Sequence, residues 1–242
     1  MSRRPASAPA GAASATPLDD AGLQSLERSL RRRFRVVESA TEIAGEPYTL
    51  LHPASAEELI SEEDFERDER LPYWADLWPS SHVLATRVRS LAGEGRRCLE
   101  LGCGAGLVTC AASRAGWAVT ATDYYLDALR FTAVNARRVA GVAVATREVD
   151  WRALPDDLPR ADLVLAADVL YERPYGALVA RAVARTLAPG GIALVADPGR
   201  VGAADFDGEA AECGLVVQRI ARVDFHTGLA MQHIDIRLVR TA

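Results

Sequence analysis

The segment LELGCGAGL, Leu99 to Leu107, leads an apolar run into glycines at three alternate positions, Gly102, Gly104 and Gly106. A turn without Cβ atoms adopts backbone angles closed to other residues and lets main-chain N–H groups come close to a charged ligand. The spacing is neither the GxGxxG of a dinucleotide turn nor the GxxxxGK of a P-loop. Carboxylates surround it in sequence: Glu100 just before, Asp123 about twenty residues on, and Asp150 followed by Trp151. An acid at the second of these places can accept both hydroxyls of a ribose. One at the third can take an adenine amino group, and an indole can cover a ring face. Each Asp alone reads as a turn or helix cap; three acids beside one glycine turn read as a site for a nucleoside-bearing cofactor. Three further segments carry chemistry. They are PYWADLWPSSHVLA (Pro72 to Ala85), DVLYE (Asp168 to Glu172), and ADPGR (Ala196 to Arg200).

The elements that must position these residues follow from the apolar pattern. Strand candidates are Cys98 to Leu101, Ala118 to Thr122, Val142 to Val149, Asp162 to Ala167 and Ile192 to Ala196. Helical stretches near Gly106 to Ala115, Leu126 to Val139 and Tyr175 to Leu187 fall between most of them. This alternation implies right-handed crossovers and a parallel sheet with helices on both faces, whose ligand lies at the carboxyl ends of the strands. Leu215 to Val223 and Met231 to Val239 are joined by a turn at Thr227-Gly228, too short for a crossover, so they pair antiparallel. The expected fold is α/β, a Rossmann-like seven-stranded sheet closing with an antiparallel C-terminal hairpin.

Ahead of this domain, taken as residues 71–242, the sequence suggests a small cap over residues 18–70. It holds a helix capped by Asp19 or Asp20 and running to about Arg33, a hairpin of Phe34 to Val37 with Tyr48 to Leu51, and a second short helix from the Ser55 to Glu58 capping box to about Phe65. The acidic run Glu62 to Glu69 reads as a solvated helix end. Residues 1–17, rich in Ala, Ser, Pro and Gly, read as a disordered tail. They lack the apolar centre of a secretory signal, and no apolar run is long enough to cross a bilayer, so a soluble cytoplasmic protein is expected. The formal net charge of −5 argues against bulk nucleic acid as partner. All basic residues apart from histidine are arginine, and the chain contains no lysine. Cys98, Cys103, Cys110 and Cys213 form no CxxC pair and suit buried thiols, and no histidine has metal-ligand spacing. No metal is expected.

In element order this half of the chain resembles the class I S-adenosylmethionine-dependent methyltransferases. Glu100 and the glycine turn are where such enzymes hold the cofactor, and Asp123, Asp150 and Trp151 match its ribose and adenine ends. The segments Tyr73-Trp74-x-x-x-Trp78-Pro79, Asp168-x-x-Tyr171 and Asp197-Pro198-Gly199-Arg200 together resemble the lysine methyltransferases of methyltransferase family 16. They are closest in pattern to those acting on the electron transfer flavoprotein β-subunit and their bacterial relatives. Ser80 and Ser81 stand where the mitochondrial enzymes tend to have glycines, and the N-terminal segment has no counterpart. The resemblance implies protein lysine N-methylation with S-adenosylmethionine. Asp168 would hold the amine and Tyr171 would wall the transfer channel. Read as residues, Trp78 lines the cofactor or substrate mouth, Trp74 either lines it or packs in the core, and Arg200 either binds an acidic group of the target or makes an ordinary surface ion pair. Deprotonating a lysine at neutral pH costs about 4–5 kcal/mol, and an ordinary carboxylate is too weak a base to supply it. Asp168 is therefore assigned to orientation. A small-molecule amine or ring nitrogen such as nicotinamide is the alternative substrate. A non-turnover regulatory module would not need the Asp168 and Tyr171 pair, and the Asn/Asp-Pro-Pro-Tyr segment of nucleic-acid amino methyltransferases is absent.

Overall fold

A computed structural model describes residues 17–59, 72–228 and 230–242. Most of the expected tail, the expected helix beyond Leu59 and the acidic run Glu62 to Glu69 lie outside the described residues.

The chain builds one seven-stranded sheet in the order β5-β4-β3-β6-β7-β9-β8. Its parallel strands are β3 (Arg97–Leu101), β4 (Ala118–Asp123), β5 (Ala145–Glu148), β6 (Ala161–Ala167) and β7 (Leu187–Asp197). Antiparallel β8 (Leu215–Thr227) and β9 (Ala230–Thr241) close it, with β9 against β7. Central β3 and β6 are apolar on both sides and almost wholly buried, as a parallel sheet covered on both faces requires. One face packs under α2 (Pro79–Arg89) and α3 (Leu107–Arg114), the other under α5 (Arg173–Thr186) and α6 (Ala203–Glu212). Helix α4 (Leu126–Asn135) runs on into a π-helical turn, Ala136–Ala140. Chain order reverses direction between β3 and β6. The carboxyl ends of those two strands therefore frame the crevice in which such sheets bind ligands.

Several boundaries differ from the sequence reading. Helix α6 was not expected, because Gly208 and four acids dilute a pattern that still places Ala203, Phe206 and Ala210 on one buried face. Strand β7 starts at Leu187 instead of Ile192. The strand takes in Pro189, Gly190 and Gly191, and Leu187 pairs with Ala161 across a bulge. Strand β5 is four residues, shorter than Val142 to Val149.

The N-terminal elements are built into the domain. Helix α1 (Asp20–Arg33), capped by Asp19 through a 2.8 Å bond from Gly22 N, sets Leu30 against Phe131 and Val134 of α4. The hairpin of β1 (Val36–Ile43) and β2 (Glu46–Pro53) sends Ile43, Tyr48 and Leu50 into the core beneath α2 and α3. Buried Asn135 joins the two parts. Its amide accepts from Leu51 N and donates to the carbonyls of Leu51 and Ala105, each at 2.8 Å.

Candidate active site

A cleft of about 940 Å³ opens over the carboxyl ends of β3, β4 and β6. Every residue singled out as a cofactor or catalytic candidate lines it: Trp78, Glu100, Gly102, Gly104, Gly106, Asp123, Asp150, Trp151, Asp168 and Tyr171. In a parallel sheet the ends of neighbouring strands share one edge, so residues far apart in sequence but each terminal to a strand converge there.

The glycine turn runs from β3 to α3 with φ of +70° at Gly102, +52° at Gly104 and +89° at Gly106. All three lie in the left-handed region that side chains avoid. Close packing adds to this, since a Cβ on Gly106 would come within 2.9 Å of the Thr132 backbone and one on Gly102 within 2.9 Å of Val169. Asp123 fixes the turn: one carboxylate oxygen accepts from Gly104 N at 2.9 Å, the other from Tyr125 N at 3.0 Å. Burial pushes its carboxyl up to about 6 in spite of these bonds. Glu100 lies deeper, accepting from the Thr109 hydroxyl, and burial pushes it up to about 8. At neutral pH it is therefore largely protonated and brings little negative charge to the cleft floor.

Asp150 caps the turn Trp151–Ala153 through Arg152 N at 2.9 Å, and the Arg152 guanidinium grips both its oxygens at 2.7–3.0 Å. The sequence reading did not anticipate this pairing. The Trp151 indole lies against Gly102 and meets Tyr175 edge-on at 5.7 Å, with its buried Nε1 unpartnered. Trp74 is tilted against Phe131 at 5.7 Å and Tyr125 at 6.4 Å and also lines the cleft, so it both packs and borders the site.

At the other end of the cleft, Asp168 follows β6 with φ +57°, strained for a residue other than glycine, and its N–H donates to Ala196 O at 2.9 Å. Its side chain is 2% exposed. Oδ1 accepts from Arg200 Nε at 2.8 Å, and buried Oδ2 has no partner. Arg200 also stacks over Trp78, 5.0 Å from the ring centroid. The guanidinium thus turns inward onto the site's own acid: of the two readings open for it, an ion pair is what forms, but with a buried partner and not at the surface. Trp78 is the N-cap of α2 and donates from Nε1 to Tyr73 O at 2.8 Å. Tyr171 sits edge-on between Tyr73 at 5.3 Å and Tyr175 at 4.7 Å, and burial raises its phenol well above the usual range. Tyr73 belongs to the quoted segment Pro72 to Ala85 but was given no role of its own, and Tyr175 was not expected, since nothing in sequence distinguishes a cleft tyrosine from a packed one. Asp197 ends β7 and holds the following turn through Gly199 N and Arg200 N, both at 2.7 Å.

The four cysteines are free thiols; Cys98, Cys103 and Cys110 are buried and Cys213 is half-buried. Among the described residues no helix is long and apolar enough to cross a membrane.

A family described as a methyltransferase domain matches residues 98–191. The match covers well under half of the chain. The sheet order and antiparallel closing hairpin give the chain the Rossmann-like fold of class I methyltransferases. The ubiquinone biosynthesis O-methyltransferase of Paracidovorax citrulli is 34% identical to the chain over 99 residues, 40% of this chain and 42% of that protein. The protein-lysine methyltransferase METTL21E of Bos taurus is 36% identical over 115 residues, 43% of this chain and 40% of that protein. The chain thus spans less than half the length of these relatives. Among solved structures, the Thermus thermophilus 16S rRNA N2 G1207 methyltransferase in complex with AdoMet and guanosine shares the fold. Its TM-score is 0.56 at 15% identity, covering 86% of this chain and 51% of that one. The matched residues include the glycine turn, Asp123, Asp150, Asp168 and Tyr171. Trp78, before them, lines the cleft, and Arg200, after them, lies behind it against Asp168 and Trp78.

Proposed function

We propose that the chain is a protein-lysine N-methyltransferase. The observation that carries this reading is Asp168, a buried carboxylate with one uncommitted oxygen in a cleft walled by Tyr73, Trp78 and Tyr171. Such a pocket suits a cation on an apolar stem. The carboxylate accepts a charge-assisted bond from the ammonium, and the aromatic faces favour the positive head and cover its methylenes.

The cradle suits S-adenosylmethionine: a turn of left-handed glycines at the floor, Asp123 for hydroxyls, and the Trp151 indole with an unpartnered Nε1 beside it. When bound, that cofactor supplies a methyl group carried on a sulfonium. The protein's own part is to align the nucleophile and strip its water. Asp168 orients the amine and is too weak a base to abstract its proton efficiently, so the proton leaves to water. Tyr171, its phenol protonated, walls the channel between Tyr73 and Tyr175 and limits the directions from which an amine can enter.

The relation to METTL21E supports a lysine acceptor. The ubiquinone O-methyltransferases raise phenol methylation, but an oxygen nucleophile must develop negative charge, and Asp76, Asp123, Asp150 and Asp168 all line this cleft. Carboxylates disfavour such an anion.

Methyl-labelled S-adenosylmethionine incubated with the chain and a cell lysate tests the reading. Label is expected in protein and, after hydrolysis, on methylated lysine; label confined to small molecules would overturn the protein-lysine assignment. The chain has no lysine of its own, so methyllysine in the digest reports a substrate and not self-modification. Asp168→Asn should keep cofactor affinity while lowering kcat/KM by about tenfold to a thousandfold, the loss of one charged hydrogen bond with some misalignment. Full turnover in a folded Asp168→Asn chain would move the orienting role to Asp197.

A further inference from the structure

Arg200 is tied to three parts of the site. Its N–H is held by Asp197 at the end of β7, its Nε donates to Oδ1 of Asp168 at the end of β6, and its guanidinium lies on Trp78 at the start of α2. The bond to Asp168 is single, since Oδ2 is left buried and unpartnered. A bidentate grip would have used both oxygens and closed the acid to any other cation. We propose that Arg200 is a positioning residue for the amine acceptor. It holds Oδ1 of Asp168 against Trp78, leaves Oδ2 as the atom that accepts from the amine, and offsets the carboxylate's charge. This assignment rests on the lysine reading above.

The charge matters as much as the geometry. A bare buried carboxylate would bind an ammonium strongly and hold it protonated, which is the unreactive form. With Arg200 beside it the acid and guanidinium together are neutral, so the amine is oriented by a hydrogen bond without being locked as a cation. The other charged groups around Asp168 and Tyr171 do not replace this balance. Asp197, Glu172 and Asp123 are acids; Arg237 from β9 bonds Asp207 through Nε at 3.1 Å, keeps a buried Nη1 without a partner, and sets its charge against Asp197 and not in a bond to Asp168. Tyr175, from α5, contributes a phenol.

The test is the pH dependence of kcat, which reports ionisations within the substrate complex, in the wild-type chain, Arg200→Gln and Arg200→Lys, using labelled S-adenosylmethionine and the lysate proteins that accept label. Arg200→Gln should move the acidic limb to higher pH by about one unit, the amine now facing an uncompensated carboxylate. Its kcat near neutrality should fall by roughly tenfold or more. Arg200→Lys should keep the limb at the wild-type pH while lowering kcat evenly, because an ammonium restores the charge but not the Nε contact or the guanidinium's place over Trp78. A loss in Arg200→Gln by the same factor at every pH, or no loss, would overturn the proposal while lysine methylation by the wild type leaves the lysine reading intact. A wild-type chain that labels no lysine overturns the lysine reading itself, and this assignment with it. Should Arg200→Gln fail to fold, an Arg200→Lys limb displaced to higher pH would overturn the proposal by itself, and a retained limb supports it.

Discussion

Glu100 and Asp123 lie under the same glycine turn, and burial raises both carboxyl groups, to about 8 and about 6. A carboxyl group whose folded pKa exceeds its unfolded value holds its proton more tightly in the folded chain. It adds stability below the unfolded pKa near 4 and loses it as pH rises through the folded pKa. The cofactor-free chain should therefore lose stability from about pH 5 to about pH 8, with Glu100 responsible for the upper part of the slope. Glu100→Gln keeps an acceptor for Thr109 and removes the ionisation. Its melting temperature should be flatter between about pH 6 and pH 8 than the wild type's. Parallel melting curves across that range would show that Glu100 is not the group that titrates. At this scale the site was largely legible in sequence. The glycines, Asp123, Asp150 and Asp168 each end a strand or fill a turn, and chain order alone brings strand ends together. What escaped were pairings set by side-chain rotation and loop closure. Arg152 wraps Asp150, Arg200 turns onto Asp168, and Tyr73 folds back to meet Tyr171.

At the scale of elements, the centre of the sheet could be read from its apolar runs because β3 and β6 are buried on both faces, and the last hairpin could be read from the shortness of its turn; half-buried β5, at the edge, came out shorter than its run. The N-terminal segment was harder. Its helix and hairpin were expected, but their attachment was not, since it depends on one polar residue inside an apolar interface. Asn135, at the end of α4, takes both main-chain groups of Leu51 in β2 and the Ala105 carbonyl of the glycine loop. Asn135→Ala would leave those buried groups without the amide, at a cost of about 2–4 kcal/mol. In a chain of this length that corresponds to a melting temperature lower by roughly 5–15 °C. Because Ala105 belongs to the loop that lines the cleft, cofactor affinity should weaken in the same variant. A melting point within about 2 °C of wild type would place the attachment in the apolar contacts of Leu30, Leu51 and Phe131 instead.

On the lysine reading proposed above, the charge of the whole molecule suits a basic partner. Acids exceed arginines, 33 against 28, giving the formal charge of −5, and aspartates line the cleft mouth and floor. Many surface arginines are already committed: Arg33 and Arg130 to Asp127, Arg138 to Glu27, Arg31 to Glu27 and Glu38. A lysine-bearing protein would approach along a field that favours its charge, and such steering acts on encounter more than on chemistry. Raising ionic strength from about 0.1 M to about 1 M shortens the screening length from about 10 Å to about 3 Å. KM for the protein substrate should then rise several-fold, with kcat changing little, because the contact to Asp168 is buried and poorly screened. Cofactor affinity, measured by calorimetry at both salt concentrations, separates an effect on substrate encounter from one on the cradle. A KM unmoved by salt would show that the target is captured by apolar contacts, and attention would pass from the charge of the surface to the aromatic walls at Tyr73 and Trp78.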